Sequence, residues 1–199
     1  MYEGGYARKS RSPNLYQRYV WSSNAMAVLM NNFAGDGNGY VGNVNLKPEV
    51  AHTLSLTGDW QNSGSDQWNL KMTTYYTYIQ DYIDAKRCDF SQCSPENETT
   101  TTGFVILQYV NQSAQLYGMD LSGEKMLAES DDFGSFTSTG LLNYVRGKNQ
   151  TTGDNIYNIM PLNLKLAVTQ DLGKWKNTVE FLAVAAKTKV SQVRNEVPT

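Results

Sequence analysis

The sequence predicts an all-β fold, an antiparallel transmembrane β-barrel segment of about seven long strands. Three observations carry this. Apolar and polar residues alternate with a period of two in one segment after another, which gives a strand one greasy and one wet face. The alternating runs are much longer than the roughly 5–6 residues usual for strands of soluble proteins. The connections between them are short and long by turns, as in barrels with tight turns at one membrane face and extended loops at the other.

Strands are expected near residues 1–9, 49–61, 67–86, 103–128, 134–147, 160–172 and 175–190. In the second, Leu54, Leu56 and Trp60 alternate with Thr53, Ser55, Thr57 and Asp59. In the third, Trp68, Leu70, Met72, Tyr76, Tyr78 and Tyr82 form the greasy row, interrupted by Thr74 and Gln80, against Gln67, Asn69, Lys71, Thr73, Thr77 and Asp81. The fourth sets Tyr117, Met119 and Leu121 against Gly118, Asp120 and Ser122. The sixth sets Leu162, Leu164, Leu166 and Val168 against Asn163, Lys165 and Thr169. The seventh sets Trp175, Val179 and Phe181 against Lys176, Thr178 and Glu180. Helical i, i+3, i+4 spacing fits none of these. The first and fifth strands are placed by the rhythm of the connections, short at 62–66, 129–134 and 172–174, long at 10–47, 87–102 and 148–158. A soluble β-sandwich binding module alternates in the same way and is the rival from another class. Strand length and the aromatics near strand ends (Trp60, Trp68, Tyr82, Phe104, Trp175) favour the barrel.

The 199 residues carry a formal net charge of −2, which gives no electrostatic reason to expect nucleic acid. Thirteen Tyr against 6 Phe, with a mean hydropathy of −0.49, suit a surface half greasy and half wet. No apolar run approaches the roughly 20 residues of a membrane-spanning helix. Cys88 and Cys93 stand five apart in a polar stretch, too few for a four-ligand zinc site, and read as a loop-closing disulfide. The single histidine, His52, shares the parity of Leu54 and Leu56, which makes it an interfacial side chain. Lys71, Asp120, Lys165 and Glu180 take the opposite, lumenal parity. Met26 and Met30 would share a face if their stretch were one helical turn, and paired thioethers suit Cu(I), although packing is the commoner role of methionine. The GDGNG run at Gly35 to Gly39 lacks calcium-loop spacing and reads as a flexible turn. Asn97, Asn111 and Asn149 open glycosylation-type triplets that should carry no meaning in a barrel of this kind. With one histidine and no phosphate-cradling glycine loop, no enzymatic activity and no catalytic residues are expected.

Residues Arg8 to Tyr19, RKSRSPNLYQRY, with Gly42 to Glu49, GNVNLKPE, closely resemble a paired motif of the TonB-dependent outer-membrane receptors. The matching positions are Arg8, Arg11, Pro13 and Tyr19, then Gly42, Asn43, Leu46, Lys47, Pro48 and Glu49. Gln17 stands where the family usually has an acidic residue. Tyr109 to Gly123, with Gly118 and Asp120, resembles a further family strand, and QDYIDA, with Asp81 and Asp84, a strand end. Within that family, the run Phe33 to Thr53 together with YYTYIQDYIDAKRC, GLLNYVRG, TGDNIYNIMPLNLKLA and KTKVSQVRNE looks like the outer-membrane copper receptors. The resemblance implies a barrel of about 22 strands, an N-terminal plug domain and energy delivered by the inner-membrane TonB complex. It also implies residence in the bacterial outer membrane, in contact with its lipid. Copper would be transported cargo and not a permanently bound cofactor, with siderophores or other metal chelates as the alternative. Residues 1–199 are therefore expected to be a partial barrel domain without a plug, because seven strands neither close such a barrel nor meet its even count.

Overall fold

The structure, a computed structural model, describes residues 1–26, 32, 34–62, 64, 67–89, 93, 97 and 99–199. In chain order the elements are β1 (Tyr2–Arg11), α1 (Leu15–Tyr19), β2 (Trp21–Ser22), β3 (Gly39–Val41), β4 (Glu49–Asn62), β5 (Trp68–Arg87), β6 (Ile106–Ser130), β7 (Gly134–Asn149), β8 (Asn163–Asp171) and β9 (Lys176–Val184). The seven long strands pair antiparallel in the order β1-β4-β5-β6-β7-β8-β9, leaving β1 and β9 as the two edges. β5 runs for 20 residues and β6 for 25, well beyond the 9–11 or so needed to cross a bilayer at a tilt. Short connections follow β4, β6 and β8. Gly134 and Gly173 take φ of +69° and +78° there, a conformation that side-chain-bearing residues rarely adopt. The long connections all emerge at the opposite end.

Paired residues share a face, so the register can be read as rows. One row runs Gly58, Met72, Leu121, Leu142, Leu164, Ala183. The next toward the turns runs Trp60, Leu70, Gly123, Gly140, Leu166, Phe181. These side chains meet no opposing layer: Leu56 is 61% exposed, Phe181 60% and Val179 77%. A sandwich would have sealed them in. The other face satisfies itself with polar rungs: Thr53 to Thr77 at 2.8 Å, Thr57 to Thr73 at 3.0 Å, Asn143 Nδ2 donating to Asp120 Oδ1 at 2.8 Å, and Lys165 Nζ to Glu180 Oε2 at 2.7 Å.

Among the described residues the core cluster lies at the loop end, where Tyr40, Leu46, Ile83, Ala85, Val105, Leu107 and Tyr109 pack together. It is separated from the belt by an irregularity in β5 between Ile79 and Tyr82, with Asp81 at φ +53°. Before it Tyr78 pairs Gln115, and after it Tyr82 pairs Gln112. One inserted residue flips every later side chain. Tyr82 therefore leaves the greasy row in which alternation alone had put it, and Ile83 and Ala85 join the face of Tyr109 and Leu107.

Other strand limits also differ from expectation. β9 stops at Val184 and not 190, because the chain turns away and Lys187 and Thr199 exchange backbone hydrogen bonds. β8 covers 163–171, and β6 begins at 106. Residues 10–47 are not a plain loop. They contain α1, and their Gly39–Val41 pairs parallel with β6 and antiparallel with β2. The expected turn at Gly35 to Gly39 passes through Gly35 and Gly37 at positive φ, reaches buried Asn38 and leads straight into buried Tyr40.

Candidate functional site

Two constructions organise the loop end. The first is built from the paired sequence motif. Asn14 caps α1 by accepting from the Gln17 amide at 2.7 Å, while the Gln17 side chain accepts from the Asn14 amide at 3.1 Å, a reciprocal capping box. Arg11 forks onto Glu49 at 2.6 and 3.0 Å across the β1–β4 register, and Glu49 also accepts from the Ile83 amide at 3.0 Å. Gly42 is pinned against the turn after α1. A Cβ there would stand 2.5 Å from the Arg18 carbonyl oxygen and 2.7 Å from the Tyr19 nitrogen. Asn43 Nδ2 donates to the Tyr109 carbonyl at 3.1 Å, Leu46 enters the core, and the Lys47 backbone exchanges two hydrogen bonds with the Asn111 side chain. Arg8 and Tyr19 are exposed, as is Pro48, just before β4. Gly118 makes room for the Tyr75 ring, whose carbon lies 2.7 Å from where a Cβ would be. The motif is a latch fastening the 12–48 connection to β4, β5 and β6.

The second construction centres on Arg194. Its guanidinium donates to Asp36 Oδ2 at 3.1 Å and to Asp84 Oδ1 at 2.9 Å, with side-chain exposures of 10%, 2% and 12%. It also bonds Tyr40 Oη and lies 5.2 Å from the Tyr157 ring centroid. Tyr40 in turn donates to Asp36 at 2.5 Å. Burial lowers the guanidinium pKa, but Tyr40, Asp84 and Asp36 outweigh it and hold Arg194 above its ordinary value. Burial pushes the Tyr40 and Tyr157 hydroxyls above theirs. Nearby, Asp154 accepts from Ser191 Oγ at 2.9 Å and from the amides of Gln192 and Val193 at 3.0 Å each. Glu196 accepts from Lys187, Asn158 and Ser191. Connections 12–48, 150–162 and 185–199 thus meet over the end of β5. An open cleft of about 630 Å³ runs beside Tyr157, Met160, Lys187, Arg194 and Glu196.

Cys88 and Cys93 are disulfide-bonded, with Cα atoms 6.0 Å apart. Met26 is 73% exposed, while Met30 lies outside the described residues. Among the described residues no three His, Cys, Asp or Glu side chains cluster so as to hold a metal ion. His52 shares the face of Leu54, as its parity requires, and its Nδ1 lies 2.8 Å from Tyr6 Oη. The asparagines that open glycosylation-type triplets are structural. Asn97 bridges Cys88 and Ile106, Asn111 fastens Lys47 and Asp81, and Asn149 bonds Asp84 and Gln112. The Asp36, Tyr40, Arg194 and Glu196 cluster escaped sequence reasoning. Its only trace was that GDGNGY, TGDNIYN and QVRNE lie within the segments carrying the resemblance.

An extended antiparallel sheet with one exposed apolar belt, one polar face and all long loops at one end defines a transmembrane β-barrel wall. The family model described as "TonB dependent receptor-like, beta-barrel" matches residues 3–195, and the chain belongs to that family. Heme/hemopexin utilization protein C of Haemophilus influenzae (strain 86-028NP) is 24% identical over 179 residues, covering 87% of this chain and 23% of that protein. The solved structure of copper transporter OprC superposes with a TM-score of 0.67 at 18% identity, covering 96% of this chain and 25% of that one. The chain spans about a quarter of the length of these relatives.

Proposed function

We propose that these residues form part of the wall and external vestibule of a bacterial outer-membrane, TonB-energised importer, with copper or a copper complex as cargo. The observation that carries the transport reading is the continuous greasy belt, exposed on one face of a sheet whose other face is polar and self-satisfied, in a chain of the TonB-dependent receptor family. The segments around Asp36, Asp84, Asp154 and Arg194, which look like those of copper receptors, meet in one cluster and favour copper. In this reading the wall is passive. Cargo binds above a plug domain supplied by the rest of the protein, and TonB-dependent displacement of the plug opens the path. Met26 and Met30 remain candidate thioether contacts on the loop side, not a complete site.

A second reading, import of heme or another metal chelate, draws on the relative named for heme/hemopexin utilization. Uptake by cells carrying the full-length receptor, with copper, heme or an iron siderophore as the limiting nutrient, separates the two. Receptor- and TonB-dependent growth on copper alone is expected. Rescue by heme or siderophore without any copper dependence would reverse the cargo assignment.

A further inference from the structure

One row of the greasy face is cut away at its centre. Between Trp60 and Leu70 on one side and Leu166 and Phe181 on the other, it is made of Gly123 and Gly140, paired directly with each other across β6 and β7. An open hollow of about 550 Å³ results, floored by the two glycines and walled by Leu70, Leu121, Leu142 and Leu166. Leu70 and Leu166 lean toward the floor, their Cδ atoms 3.2 and 3.3 Å from where Cβ atoms on Gly123 and Gly140 would stand. Gly58, in the next row, makes no such hollow, because the Trp60 ring lies over it.

One step nearer the turns, the row runs Trp68, Lys125, Ser138, Val168, Val179. Trp68 to Tyr78 measures about 34 Å along β5, or roughly 26 Å along the membrane normal at the usual strand tilt of about 40°. This matches an apolar band of about 25 Å and places the Trp68–Lys125 row at its turn-side rim. The glycines lie two residues further in, roughly 5 Å along the normal. From the row of Met72 to the turns, Lys125 is the one charged side chain that the paired rows of described residues put on this face. Glu124 and Glu129, near it along β6, take the other face. Lys125 is exposed and forms no ion pair among the described residues.

We propose that the hollow and Lys125 form one binding site for an anionic glycerophospholipid of the leaflet at the turn end. An acyl chain lies over Gly123 and Gly140, and the phosphate meets Lys125, on a row that also offers the Ser138 hydroxyl and the Trp68 indole N–H. The inference rests on the membrane-wall reading above. Charge and shape carry it together. A lone ammonium without a carboxylate on its face matches an anionic headgroup, and the adjacent apolar hollow, set deeper by the offset of a headgroup from its chains, matches the acyl part of the same molecule.

The test uses the full-length receptor, purified in detergent, stripped of lipid and titrated with phosphatidylglycerol, diacylglycerol of the same chains and inorganic phosphate, with binding read by native mass spectrometry. Phosphatidylglycerol should bind preferentially, and Lys125→Gln should weaken it about fivefold, the effect of one lost surface cation. Gly140→Leu, which fills the hollow, should weaken it about 15-fold, as two excluded methylenes at roughly fourfold each. Ala183→Leu enlarges a small residue in the neighbouring row, outside the hollow, and should leave binding unchanged. Equal binding of diacylglycerol, competition by inorganic phosphate at the same concentration, or equal loss with Ala183→Leu would overturn the proposal. A lipid-free dimer that Gly140→Leu dissociates would give the hollow to a second copy and overturn it too. Heat-modifiable gel mobility reports folding. Should Gly140→Leu not fold, Lys125→Gln alone must show the fivefold loss. Folded, membrane-assembled variants that keep their phospholipid sink this inference only, whereas tolerance of charge within the belt sinks the wall reading beneath it.

Discussion

Substituting Leu164 by lysine tests the membrane-facing assignment at its most sensitive point. Leu164 lies in the row of Met72, Leu121 and Leu142, near the middle of the Trp68-to-Tyr78 span. It therefore sits close to the bilayer midplane. A lysine facing lipid at that depth costs about 2–4 kcal/mol, roughly 30- to 900-fold in an assembly equilibrium. Snorkelling of the long stem toward a headgroup draws the value to the low end. Asn163, one residue earlier, points to the opposite face beside Asn143, where a lysine should be solvated at almost no cost. The assay is the amount of heat-modifiable, correctly assembled full-length receptor in the outer membrane for Leu164→Lys and Asn163→Lys, at matched expression. Strong loss for the first and near-native levels for the second are expected. Equal tolerance, or equal loss, would refute the facing assigned from the register.

Arg194→Met should leave Asp36 and Asp84 as buried charges without their partner, a local cost of about 3–5 kcal/mol. Hydrogen exchange should quicken at 36–41 and 154–160, with β7 to β9 unchanged. At alkaline pH the tyrosines give a signed prediction. Tyr40 and Tyr157 are raised above 10.0 by burial, so the stability linked to them is complete below that pH and declines as pH rises through their folded values. Absorbance at 295 nm should show them ionising after the surface tyrosines, together with loosening of the loops. Gly42→Ala should cost about 1–3 kcal/mol, because the Arg18 and Tyr19 backbone cannot yield to the added methyl. Limited proteolysis should then cut near α1 first.

Legibility in the sequence followed the physics of each region. Where every second residue meets hydrocarbon, the solvent imposes a period, and the rows through Leu70, Leu121, Leu164 and Phe181 could be read directly. The failures lie where that constraint stops. Tyr82 was misplaced because a one-residue irregularity at Asp81 has no periodic signature. Beyond Val184 the apolar parity falls on Lys187 and Lys189, so the alternation lapses where β9 ends, and the backbone partners that draw Lys187 to Thr199 are tertiary. Arg194, Asp36 and Asp84 are separated by 110 and 158 positions from one another in their ion pairs, so no local pattern could join them. The paired motif was visible as a resemblance, but its role as a latch required the Arg11–Glu49 register and the close approach at Gly42.

The irregularity at Asp81 marks a change of solvent. On the turn side of it, the apolar side chains stand exposed on one face, as the proposed membrane wall requires, and the carboxylates of the paired rows take the polar face. On the loop side the chain encloses its own apolar residues, and the core cluster of the described residues sits there. Inserting one residue serves both demands. It returns Ile83 and Ala85 to the face of Leu107 and Tyr109, and it turns Asp84 to the face of Asn149, within reach of Arg194. Asn111, bonded at once to the Asp81 and Lys47 carbonyls, ties that turning point to the paired motif. The latch, the irregularity and the Arg194 cluster therefore act as one device, converting a sheet with an open apolar face into a platform that gathers the long connections at one end.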